Sequence, residues 1–121
     1  MTGKTVSPET AEQTAIGPFL RYAGADGASW HGSVLLVLPA ASPAPVLQVW
    51  HAAGAAEKSA VASEQIFSHR GAWTFWRFSL ALVMAPGAES RYCYSISALL
   101  QQEFSFTLPA SDALYWNSMF Y

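Results

Sequence analysis

The amino-acid sequence predicts an all-β chain, an antiparallel β-sandwich of seven or eight strands. Three observations carry that expectation. Apolar and polar residues alternate at period two in several short runs, which is how a half-buried strand reads. Glycine and proline pairs punctuate those runs at short intervals. Helical periodicity is almost absent. With 121 residues the chain has room for one domain and one core.

Residues 1–15 are polar, with a Ser7-Pro8 step and no apolar centre, and read as a flexible arm rather than a secretory leader. The domain is expected over residues 16–121. Phe19 to Tyr22 suggest a short strand, and Gly24 to Gly27 a turn. Ser29 to Leu38 form the next strand. Val34, Leu36 and Leu38 share one parity, and Leu35 and Val37 the other, so this strand is apolar on both faces and belongs in the centre of a sheet. Pro39 to Pro45 make a proline-rich loop before the strand Val46 to His51. Ala52 to Ser63 are alanine-rich but interrupted by Gly54, and read as a loop with some helical content. Gln65 to Phe67 suggest a brief strand.

The stretch Ala72 to Ser97 organises the rest and reads as a hairpin. Trp76, Phe78, Leu80, Leu82 and Met84 occupy alternate positions, so they share one face of a strand. Pro86-Gly87 breaks the run with turn chemistry. Tyr92, Tyr94 and Ile96 alternate in the second arm; β-branched and aromatic residues suit a pleated surface. A helix is the competing reading of the first arm. Phe104, Phe106 and Leu108 mark an amphipathic strand, and Ala113 to Tyr121 a last strand, apolar on both faces. Two packed sheets are favoured over a small barrel because burial on both faces is confined to a few strands. The arrangement expected is immunoglobulin-like.

Composition narrows the function. The chain is 52% hydrophobic and 12% charged, with a net charge of −2. No basic stripe supports nucleic-acid binding, and no run of some 20 apolar residues indicates a membrane span. The single cysteine, Cys93, excludes an internal disulfide and a cysteine-rich zinc site. It reads as a small buried side chain. The lack of disulfides leans toward a reducing, intracellular compartment.

His31, His51 and His69 show no His-x-x-x-His spacing and no carboxylate close by in sequence, so no metal site and no cofactor is expected. Neither a Gly-x-Ser-x-Gly nucleophile motif nor a phosphate-binding loop occurs. Trp30, Trp50, Trp73, Trp76 and Trp116 are the notable resource. Trp76 and Trp116 are expected in the core, since tryptophan carries a large buried area. Exposed on a sheet, Trp30, Trp50 and Trp73 with His31 would make a stacking platform for a sugar or another flat ligand. Arg77 is a charge between Trp76 and Phe78; it either faces outward with its stem on apolar surface or pairs with an acid or a carbonyl across a domain junction.

Several segments in series resemble a known family. They are Gly17-Pro18-Phe19-Leu20-Arg21-Tyr22, Trp30-His31-Gly32, Pro45-Val46-Leu47 with Trp50, and Thr74-Phe75-Trp76-Arg77-Phe78. Arg91 to Ile96, Phe104 to Pro109 and the run Trp116 to Tyr121 complete the series. Together they resemble the amino-terminal β-sandwich region of the fungal PhoD-like phosphatases (alkaline phosphatase D-like). The resemblance spans residues 16–121. Ala52 to Ser63 match it poorly, and Ala98 to Gln102 are longer than the family's tight turn. It implies an accessory sandwich beside a metal-dependent phosphoesterase domain that this chain does not contain, so it implies no catalytic residue here.

The leading expectation is therefore a noncatalytic accessory domain. Its partner would be a catalytic domain, or a second copy through the last strand. Arg77, Tyr115, Trp116, Met119, Phe120 and Tyr121 would form the interface. The alternatives are a free-standing carbohydrate- or small-ligand-binding module using Trp30, His31, Trp50 or Trp73, and, with no sequence support, a small enzyme.

Overall fold

A computed structural model describes residues 15–54, 57–100 and 102–112. Eight strands are described: β1 (Ile16–Asp26), β2 (Ser29–Pro39), β3 (Val46–His51), β4 (Ser59–Ala62), β5 (Glu64–His69), β6 (Trp73–Val83), β7 (Ser90–Ile96) and β8 (Phe104–Leu108). They form two four-stranded sheets with orders β1-β2-β6-β5 and β4-β3-β7-β8. Every pairing is antiparallel. Immunoglobulin constant-type domains face their first, second, fifth and fourth strands against three others. β1, β2, β6 and β5 take those places here, β3, β7 and β8 take the other three, and β4 is an added strand beside β3.

The core is made by the parity that alternation requires. Val34, Leu36 and Leu38 of β2 and Phe78, Leu80 and Leu82 of β6 point inward, followed by Met84. Leu47, Val49, Tyr94, Ile96 and Leu108 meet them from the second sheet. β2 pairs with β6 along its whole length and with β1 from Ser29 to Val37, so it is the central strand its two-faced apolar pattern predicts. Trp30 also lies in this core. Its ring folds across Gly32, where a Cβ would collide with the indole and stand 2.5 Å from the Arg21 carbonyl. The Trp30-His31-Gly32 sequence is thus a packing unit: the glycine leaves room for the tryptophan two residues before it.

Three expectations change. Residues 72–97 are not a hairpin. Pro86-Gly87 does turn the chain, with Gly87 at φ 75°, but β6 belongs to the first sheet and β7 to the second. The turn is therefore an arch over the end of the sandwich. β6 instead forms its hairpin with β5, closed by Arg70 and Gly71, both at positive φ, with the Ala72 amide donating to the His69 carbonyl at 3.0 Å. The alanine-rich stretch contains a 3-10 turn (Ala52–Gly54) and then a real strand, β4. Gly24 lies within β1 and pairs opposite His31, past a bulge. The expected arm at residues 1–15 falls outside the described residues except for Ala15, and the strand expected at Ala113 to Tyr121 falls wholly outside them.

The chain changes sheets often. β2 leads to β3 across the sandwich, Ser63 alone separates β4 in the second sheet from β5 in the first, and β6 crosses back to β7.

Candidate functional site

The outer face of the first sheet carries an apolar surface at the end where β6 begins. Opposed residues on an antiparallel pair share a face, and the register places four strands' side chains together. Ile16 lies opposite Val37, Phe19 opposite Leu35, Val37 opposite Phe75, and Phe75 opposite Phe67. Trp73 stands between Pro39 and His69. A bulge between Ile16 and Phe19, at the cis Gly17-Pro18 bond, keeps both of those side chains on this face. The result is a shallow depression of about 350 Å³ lined by Ile16, Phe19, Leu35, Val37, His69, Trp73 and Phe75. Phe67 stands beside it, edge-on to Phe75 with centroids 5.3 Å apart. Phe67 is 53% exposed and Phe19 49%. Side chains of this size left in water are a standing cost, roughly 1.5–3 kcal/mol each against full burial. Contiguous patches of this kind mark interaction surfaces.

Arg77 borders the patch. It lies opposite Leu35 on β2 and Glu64 on β5, and its Nη2 donates to Glu64 Oε1 at 2.9 Å. It faces outward and pairs with an acid, but on a neighbouring strand. Both side chains are largely exposed, so the pair contributes little to stability. Of the expected partner-interface residues, Arg77 alone can be placed; Tyr115, Trp116, Met119, Phe120 and Tyr121 lie outside the described residues.

The tryptophan platform is not assembled. Trp30 is 4% exposed, packed with Tyr22 and Phe106 at centroid distances of 6.1 and 5.7 Å. Trp50 is on the other sheet's outer side but only 5% exposed, with Lys58 Nζ 4.4 Å from its ring centroid. His31 shares a sheet face with Trp73 but lies opposite Ala81, eight residues along β6 from Trp73. That is roughly 27 Å at strand rise. Only Trp73 joins the exposed surface. Trp76 is partly buried and packs against the core, as expected for it, and Trp116 is outside the described residues.

The remaining polar groups are dispersed. Among the described residues no group of three or more His, Cys, Asp or Glu side chains is placed to hold a metal ion. His51 Nδ1 accepts from the Ala53 amide at 3.1 Å, and its ring packs edge-on to Tyr92. Cys93 is free and only half-buried, more open than a core thiol. Burial raises the Tyr94 phenol above the ordinary tyrosine value. No helix among the described residues is long and apolar enough to cross a membrane. Ile16, Phe19, Phe67 and Phe75 were not singled out from sequence. Their parity was visible, but which parity faces outward depends on register across four strands.

No protein-family model matches this chain, and no curated protein matches it. Among solved structures it is similar to bovine butyrophilin, at 15% identity and a TM-score of 0.49, over 78% of this chain and 43% of that one. The chain thus spans less than half the length of that neighbour.

Proposed function

We propose that this chain is an accessory docking domain that seats the outer face of its first sheet on another protein domain. The observation that carries the reading is the surface cluster of exposed Ile16, Phe19 and Phe67 around half-buried Trp73 and Phe75, which no described residue covers.

The finer reading comes from the resemblance: the partner is a metal-dependent phosphoesterase domain. It is tested with the catalytic domain of a PhoD-like phosphatase, expressed without its own amino-terminal sandwich. Binding to this chain is measured by sedimentation, with a Phe19→Ser/Phe67→Ser variant as control. Saturable binding that the variant loses is the expected result. Equal binding by the variant overturns the assignment of the surface. No binding by either overturns the phosphoesterase as partner.

A further inference from the structure

A second feature, independent of the apolar face, lies along β6. Its eleven residues pair with β2 throughout, but β5 covers only Trp73 to Arg77 on the other side. The pairing ends at Glu64, and the chain then belongs to β4 in the opposite sheet. From Phe78 to Val83 no described strand is paired with β6 on that side.

The direction of the backbone groups there follows from two hydrogen bonds that bracket the β2–β6 ladder. The Met84 amide donates to the Ala28 carbonyl at 2.7 Å, and the Ala40 amide to the Ala72 carbonyl at 2.9 Å. Along an antiparallel strand, successive residues aim their N–H and C=O to opposite sides. The even-numbered residues from 74 to 82 thus bond to β2, and the odd-numbered ones face the other lane. Tyr92 Oη donates to the Val83 carbonyl at 3.0 Å, on the side this alternation requires. Ser79 and Ala81 then present both N–H and C=O to the side that no described strand pairs, and Val83 its N–H. The lane is a slot of finite length, closed by β5 at Arg77 and by Tyr92 at Val83. Beside it runs a groove of about 320 Å³, lined among others by Val49, Val61, Leu82, Tyr92, Ser59 and Glu57. Glu57 is exposed, and the one ion pair among the described residues does not involve it.

We propose that this slot binds an extended peptide segment of a partner protein, about five residues long, which adds as a strand beside Ser79–Val83. Unpaired strand edges recruit strands in this way: backbone bonds hold the segment, and alternate side chains select it. Alternation at period two fixes its chemistry. One set of side chains must be apolar, to cover Val61 and Leu82; a basic residue on the segment answers Glu57.

The test uses the whole chain and a capped six-residue peptide of alternating valine and lysine, with amide exchange followed residue by residue. The expected result is saturable binding that slows exchange at Ser79, Ala81 and Val83 and leaves Leu80 and Leu82 unchanged. N-methylation of the peptide's central amides should weaken it about tenfold or more while keeping every side chain. Ala81→Pro should do the same and still fold, because proline is tolerated where the strand amide faces away from the ladder. Glu57→Gln should weaken it by a smaller factor. Equal binding by the methylated peptide overturns the proposal, as does protection confined to other residues or no saturable binding. Protection of the same three amides by raising the chain's own concentration, without peptide, reassigns the slot to a second copy and overturns the choice of partner. Should Ala81→Pro fail to fold, the methylated peptide decides.

Discussion

Tyr92 reaches across the arch between the two sheets and donates its hydroxyl to the backbone carbonyl of Val83, at 3.0 Å. Tyr92 lies near the start of β7 and Val83 ends β6, so this bond ties the chain where it leaves one sheet to where it enters the other. Such a bond contributes roughly 0.5–1.5 kcal/mol net, and Tyr92 is only half-buried, which favours the lower half. Tyr92→Phe keeps the ring against His51 and Phe106 and removes only the tether. Its urea midpoint should fall by the equivalent of about 0.5–1 kcal/mol. An unchanged midpoint would mean that Pro86-Gly87 holds the arch without help.

Gly32→Ala should be more damaging. The added methyl meets the Trp30 ring and the Arg21 carbonyl, and β1 and β2 are held in register on both sides of it. Forcing atoms into a filled core costs about 1–3 kcal/mol. Thermal unfolding should move down by several degrees, and Trp30 emission should shift to the red as its ring is displaced. Full stability with unshifted emission would show that the ring has another place to go.

Arg70 adopts φ 56° next to Gly71 at φ 69°. The left-handed region costs a residue with a Cβ about 1–2 kcal/mol, and glycine regains part of that after its larger entropy in the unfolded chain. Arg70→Gly is therefore expected to stabilise by up to about 1 kcal/mol. Differential scanning calorimetry checks the sign. A lower midpoint would mean that the Arg70 side chain contributes a contact worth more than the strain.

Much of the fold was legible because alternation is local. The strands at Val46–His51 and Phe104–Leu108 were read to the residue, and Ser29–Leu38 to within one. The hairpin at Pro86-Gly87 was misread because a tight turn looks the same whether its arms pair or cross to opposite sheets; only the partner of β6 distinguishes them. β4 was hidden in Ser59–Ala62, whose small side chains carry little strand signal, and it exists because β3 offers an edge. The candidate surface was legible only at Arg77 and Trp73. Trp30 and Trp50 look as available as Trp73 in sequence, and what removes them is non-local: a glycine and Phe106 around one, Lys58 over the other.

Alkaline pH should expose the cost of burying the Tyr94 phenolate. Burial penalises its phenolate, so its folded pKa lies above the ordinary value of 10.0. In the window above that value the unfolded chain releases this proton while the folded chain keeps it. The folded state then binds more protons, and stability falls as pH rises. The contribution is fully present below about pH 10 and is lost as pH climbs through the folded pKa. Tyr94→Phe should be nearly neutral at pH 7 and should lose less stability than the parent between pH 10 and the alkaline unfolding limit. Parallel curves for the two proteins would assign the alkaline loss to other groups.

The repeated exchange of strands between sheets bears on how this chain reaches its structure. Neither sheet is a continuous stretch of chain: the first takes residues from both sides of β3 and β4, and the second is interrupted by β5 and β6. Consecutive strands pair locally, but the β2–β6 and β3–β7 pairings that complete the two sheets join distant segments, which must close before burial compensates for them. Such topologies collapse into order in milliseconds to seconds rather than microseconds. In that interval the arch and the Ser63 crossover must both find their places, and a sheet assembled early on its own would have no second layer to cover it.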